Sequence, residues 1–146
     1  MGERFIIIYH RLHRAADDYM SASGLSLART KVLRQLQRSG PTRQGVLAVH
    51  CGVVPHSITD IVDGLERDGL AERQPDPADR RAKLVTLTDK GAAALVVAGA
   101  AREKLLNQVF GAIDPDEREV LAGLLDRLET AASAIAPEGT DRHVIA

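Results

Sequence analysis

A mainly α-helical fold is predicted, with a helix-turn-helix running into a short basic-tipped hairpin, and three stretches of the sequence predict it. Between Gly52 and Gly69 a turn is followed by an amphipathic helix. Asp79-Arg80-Arg81-Ala82-Lys83-Leu84-Val85-Thr86-Leu87 reads as a charged loop and then a short alternating strand. Thr88-Asp89-Lys90-Gly91 then opens another helix, and helical periodicity flanks the whole arrangement on both sides.

Each element has a local cause. Residues 4 to 22 form the first helix, because Ile8, Leu12, Ala15, Ala16 and Tyr19 recur at three- and four-residue spacings. His10, Arg11, His13, Arg14, Asp17 and Asp18 fall largely between them, and Ser23-Gly24 stops the helix. Ser26 caps a second helix, residues 27–38, which carries Val32, Leu33 and Leu36. Ser39-Gly40-Pro41 is a break. Thr42 is expected to cap a short helix over residues 43–50, with Val46, Leu47 and Val49 apolar and Gly52 ending it.

Pro55 suits the first position of the next helix, where its missing N–H costs nothing. Ile58, Ile61, Val62 and Leu65 make its apolar face, and Gly69 ends it. Residues 70–74 and 83–87 are expected as strands, joined by a turn-rich connection over residues 75–81. Thr88 caps a long helix to about residue 111. Asp114-Pro115-Asp116-Glu117 opens the last one with an acidic cap, a proline and a glutamate placed for a capping box. Leu121, Leu125, Leu128, Ala132 and Ile135 follow as the seam that lets one helix lie along another. After Pro137 the tail is expected to fray.

A chain of 146 residues fits one domain. Its net charge of -1 supplies no global attraction to nucleic acid, so positive contacts would have to be local. One cysteine, Cys51, excludes an intrachain disulfide and fits a reducing cytosol. Phe5-Ile6-Ile7-Ile8 is too short for a signal core, and no run approaches the ~18 apolar residues of a membrane span. A soluble, cytoplasmic chain with no membrane partner is expected.

The order of elements, with Gly69-Leu70-Ala71-Glu72-Arg73, the pair Asp79-x-Arg81 and Leu87-Thr88-x-x-Gly91, resembles the MarR family of winged-helix transcription regulators over residues 5–135. The resemblance implies a winged helix-turn-helix DNA-binding lobe at residues 27–91 within a single domain over residues 1–146. It also implies a dimerisation arm from residues 4–22 and 88–136, and an obligate homodimer on a double-stranded DNA operator. The recognition helix would enter the major groove and the wing the neighbouring minor groove. A small-molecule or redox site would lie between arm and lobe, so a repressor released by a small aromatic or anionic effector is expected, with half-sites ~10 bp apart.

Arg81 at the hairpin tip suits a narrow minor groove. The resemblance gives Asp79 the task of holding its guanidinium, while Arg80 and Lys83 reach phosphates. His56, Ser57, Thr59, Asp60 and Asp63 occupy the outward side of the recognition helix, with Arg29, Lys31, Arg43 and Arg73 as further cations. The plain alternative is a solvated charged turn. Two departures matter. Asp60 and Gly64 stand where the family often carries arginine or lysine, and Val54 stands where it carries a serine cap. From Val54 to Gln74 the acids Asp60, Asp63, Glu66, Asp68 and Glu72 outnumber Arg67 and Arg73, which makes the reading head acidic.

Tyr9, His10, His13 and Arg14 lie on the first helix, near where the family's effector pocket usually sits, and are the candidate ligand residues. Simple dimer packing explains them equally well. Cys51 is either an oxidant sensor or a small hydrophobe closing a short helix, and no cysteine occupies the first helix, where the family's peroxide sensors carry theirs. His10 with His13, or His50 with Cys51 and His56, lacks a further metal ligand of obvious position. No phosphate loop, nucleophile triad or zinc spacing is present, so neither an enzyme nor a bound cofactor is expected. Two rival readings remain: a winged-helix protein-interaction module with little DNA affinity, and a cysteine- or metal-based sensor on the same fold.

Overall fold

The computed structural model describes residues 1–22 and 24–135. Its elements run α1 (Gly2–Ala22), α2 (Leu27–Ser39), β1 (Thr42–Arg43), α3 (Gln44–Cys51), α4 (Pro55–Arg67), β2 (Ala71–Asp76), β3 (Asp79–Leu87), α5 (Asp89–Phe110) and α6 (Pro115–Ile135). The first compact unit spans Met1–Leu105 and a second begins at Leu106. The predicted stop at Ser23 and the predicted fraying after Pro137 fall outside the described residues.

The core of the first unit follows the predicted apolar faces of α2 and α4, while Val46 and Val49 of α3 stay exposed. Val32, Leu33 and Leu36 of α2, Leu47 of α3, Ile58, Val62 and Leu65 of α4 and Val85 of β3 are all buried in one cluster with Met20. Caps fix the helix ends. Ser26 accepts the Arg29 N–H, and Asp17 of α1 reaches over to accept the Leu27 N–H at 3.0 Å, which ties α1 to the start of α2. Thr88 accepts the Gly91 N–H at 3.0 Å and donates to the Gly69 carbonyl at 2.7 Å. Asp114 and Glu117 form the expected reciprocal capping box at 2.8 and 3.0 Å.

Gly91 has a packing cause. A Cβ there would lie 2.0 Å from the Leu70 carbonyl oxygen, so only glycine lets the first turn of α5 meet the end of the α4–β2 connection.

Two predicted features differ. Thr42 does not cap α3. It is buried in β1 opposite Val85, its hydroxyl bonded to Ser39 and the Gly40 carbonyl, and the cap position falls to Arg43 without a side-chain bond. A strand partner across the sheet has displaced a local capping preference.

The hairpin connection is also far shorter than predicted. β2 and β3 pair antiparallel until only Pro77 and Ala78 remain in the turn, in a sheet ordered β1-β3-β2. Asp76 stabilises that turn by accepting the Ala78 N–H at 2.9 Å, and proline presets the backbone. Pro75 pairs with Lys83 and Asp76 with Asp79, so Arg80, Arg81 and Ala82 bulge from β3 with no residue opposite them. The wing arginines ride a bulged strand, not a loop.

Candidate nucleic-acid interface

α3 and α4 are joined by Gly52-Val53-Val54 and bent at 111° to each other, inside the roughly 90–120° of a helix-turn-helix. Gly52, at φ 59°, makes the left-handed turn that ends α3. Leu47, Ala48 and Cys51 on one side of the bend share a core with Ile58, Val62 and Leu65 on the other, so burial fixes its angle. α4 therefore turns its polar side outward by default.

On that side His56 and Asp60 are 89% and 69% exposed, one turn apart, with His56 Nε2 3.6 Å from Asp60 Oδ2. Ser57 is half-buried beside them. Thr59 is also half-buried, and its hydroxyl is already committed: it donates to the Pro55 carbonyl at 3.1 Å and accepts from Gln44 Nε2 at 2.7 Å. Val54 gives the helix no side-chain cap.

Three of the five acids of this head are paired inside the lobe. Arg73, from β2, donates to Asp63 and Glu66 of α4, each at 2.6 Å. Its side-chain bond, seconded by its backbone N–H, holds the Glu66 carboxyl below the usual carboxylate range. For Arg73 itself, burial pulls the pKa down but the bonds to Asp63 and Glu66 outweigh it, and the net shift is upward. Arg29 bonds Asp68 and the Gly64 carbonyl, and that bond lowers the Asp68 pKa.

Arg43 donates through Nε and Nη2 to one oxygen of the buried Asp76, at 2.8 and 2.6 Å. The Ala78 N–H and then Arg43 hold the Asp76 carboxyl low, and the Asp76 bond raises Arg43. Arg43, Arg73 and Thr59, expected from sequence to face DNA, thus all bond partners within the lobe, although the Arg43 side chain stays half-exposed. The reason is the fold, which brings acids from other elements to the two arginines and the Gln44 amide to Thr59.

The wing behaves differently. Arg80, Arg81 and Lys83 are exposed, and no ion pair engages them among the described residues. Asp79 does not hold the Arg81 guanidinium. It accepts the Arg81 backbone N–H at 3.0 Å, and its other oxygen lies 3.7 Å from Arg43. The carboxylate shapes the bulge and leaves the arginine side chain to reach outward.

Tyr9, His10, His13 and Arg14 are exposed on α1, where the Tyr9 ring sits 5.4 Å from that of His10 and 5.9 Å from that of His13. None lines the open groove of about 420 Å³ between α1 and α5, which is bounded by Tyr19, Ala22, Ala100, Ala101 and Lys104. Arg34 of α2 is half-buried near Arg102 and Arg38, and burial followed by their repulsion lowers its pKa.

Cys51 is buried, and burial pushes its thiol pKa up against the opposing pull of Lys31. Such a thiol is a poor nucleophile near neutral pH. Among the described residues no cluster of three or more His, Cys, Asp or Glu side chains is arranged to hold a metal.

Sequence reasoning missed Gln44 and Asp76 as working parts of the site, and took Asp63 and Glu66 only as part of an acidic reading head, not as partners of Arg73. Only the Asp-Pro turn at Asp76 carried a local signal.

A family profile described as the MarR family matches residues 25–83. An uncharacterised helix-turn-helix-type transcriptional regulator of Mycobacterium bovis is 30% identical over 116 residues, 80% of this chain and 81% of that one. A cysteine-to-serine mutant of MarR from E. coli superposes with a TM-score of 0.78 at 26% identity, covering 88% of this chain and 95% of that one. The same mutant complexed with operator DNA gives 0.70 at 26% identity, over 87% and 91%. No helix among the described residues is by itself long and apolar enough to cross a membrane.

Proposed function

The chain belongs to the MarR family of helix-turn-helix transcriptional regulators, and from that premise we propose that it represses transcription by binding a pseudo-palindromic operator as a homodimer. One observation carries the reading: Arg80, Arg81 and Lys83 are exposed on the wing and in no ion pair among the described residues, beside a recognition helix whose acids Asp63 and Glu66 are already paired. His56, Ser57 and Asp60 of α4 face base edges in this reading, and Asp60 accepts from a cytosine amino group. Arg81 enters the minor groove, with Arg80 and Lys83 on phosphates.

The homodimer reading draws on the terminal helices. Phe5, Ile6, Ile7 and Ile8 of α1 are 47–55% exposed, and α6 has no buried residue although Val120, Leu124, Leu125 and Leu128 lie along it. Apolar helix faces of that extent call for a partner, and a two-fold partner matches a dyad operator. Release by a small aromatic or anionic effector draws on the groove lined by Tyr19 and Lys104 and on Arg34, half-buried and repelled by Arg102 and Arg38. Such an effector regulates only if it binds one geometry of the dimer better than the other. A cytoplasmic, non-enzymatic role accompanies this reading.

The test is a binding titration on a duplex enriched from random-sequence DNA by the parent protein. Affinity should fall with salt at a log-log slope of about -0.9 for each phosphate contacted. Arg81→Ala should weaken operator binding about tenfold and leave dimerisation intact. Equal affinity for mutant and parent would remove Arg81 from the interface, and a flat salt response would favour a protein-interaction module.

A further inference from the structure

We propose that Arg73 is a positioning residue for the recognition helix: it pins α4 to the wing strand and to the amino end of α3, and touches no phosphate itself. The proposal rests on the reading of α4 and the wing as the DNA-binding elements.

The geometry is a closed chain of bonds. Arg73 Nη1 donates to Glu66 Oε2 at 2.6 Å, and Nη2 donates to Asp63 Oδ1 at 2.6 Å and to Gln44 Oε1 at 2.9 Å. The Arg73 backbone N–H donates to the other Glu66 oxygen at 3.0 Å, so the strand itself takes part. Gln44 carries the link onward by donating to Thr59 at 2.7 Å, and Thr59 returns it to the α4 backbone at the Pro55 carbonyl. α4 is thereby held one turn in by Thr59 and farther along by Asp63 and Glu66.

A helix gripped at two levels by different elements resists both rolling and sliding. Rolling is what would move His56 and Asp60 off the base edges, and a recognition site tolerates misplacement of only about 0.5 Å. A rigid guanidinium suits this task, because its fork loses little freedom for each bond it makes.

The same bonds argue against a phosphate role. The Arg73 side chain is 18% exposed, and both terminal nitrogens already face carboxylates. Turning it to DNA would leave Asp63 and Glu66 uncompensated toward a polyanion.

Three variants on the selected duplex separate positioning from its rivals. With Arg73→Gln, operator affinity should fall about tenfold more than affinity for unrelated DNA, with the salt slope as in the parent. Arg73→Lys should recover only part of the loss, since an ammonium cannot hold three acceptors in one plane. Adding Asp63→Asn and Glu66→Gln to Arg73→Gln removes the stray charge but not the loose helix, so operator preference should stay low.

A slope shallower by about 0.9, with operator and unrelated DNA weakened alike, would make Arg73 a phosphate contact and overturn the proposal. Full recovery in the triple variant would overturn it too, in favour of simple charge neutralisation. If Arg73→Gln fails to fold, Gln44→Ala cuts only the link to α3. Lost operator preference at the parental slope then supports the clamp, and unchanged preference overturns it. A parent without any operator preference would sink the DNA-binding reading alone. Amide exchange along α4 then decides the clamp: faster in Arg73→Gln supports it, unchanged overturns it.

Discussion

The DNA-facing lobe and the terminal helices use their residues in opposite ways. From α2 to β3 the large leucines and isoleucines of the helices are turned inward onto one core, and Arg29, Arg43 and Arg73 stitch strands and helices together with acids of other elements. α6 buries none of its residues, and the first turns of α1 leave four consecutive large apolar side chains half-exposed. The lobe is complete in one copy of the chain. The terminal helices carry hydrophobic surface that one copy does not use, which is why the proposed regulator is a dimer held together outside its reading head.

The comparison breaks most violently inside the lobe. Leu65 is fully buried, and Leu65→Ala should cost about 2–5 kcal/mol of folding stability, seen as an earlier midpoint in urea. In α6 the same kind of residue should matter to association. Leu124→Glu with Leu128→Glu should weaken self-association at least about a hundredfold, read by sedimentation at low protein concentration. The lobe's near-parental circular dichroism should persist. A parental sedimentation profile for the double variant would show that α6 is not the arm.

Acid should act on the lobe through its stitches. Glu66, Asp68 and Asp76 all have lowered pKa values, so their pairing stabilises the fold fully above the unfolded carboxylate value of about 4. That contribution is lost as pH falls through the folded values. Amides of β2 and of the turn at Pro77 should therefore lose protection below about pH 4. A protection pattern independent of pH in that window would mean the pairs contribute little.

The smallest change expected is a gain. Val54 is exposed, with the extended backbone of a cap position but no oxygen to offer. Val54→Ser should raise stability by about 1 kcal/mol in thermal melts.

Legibility followed range. Ser26, Thr88 and the Asp114–Glu117 box were readable because a cap's partner lies three residues away. The apolar faces of α2 and α4 were readable because helical spacing alone puts them on one side. Thr42 misled for the converse reason: it had a plausible local role, but β3 arrives from far along the chain and claims it for the sheet. The two-residue turn was hidden because it comes with a register shift that leaves Arg80, Arg81 and Ala82 unpaired, and the buried Asp76 at its edge is bonded by Arg43, 33 residues away.

By itself, then, the sequence determined where helices start and stop, which faces are apolar, and that basic residues stand beside the hairpin turn. Only the tertiary structure decided which cations remain free. Arg29 meets Asp68 across 39 residues, Arg43 meets Asp76 across 33 and Arg73 meets Gln44 across 29. A charge's neighbours in space, not in sequence, decide whether it braces the fold or reaches outward, and folding chooses those neighbours while it buries the core.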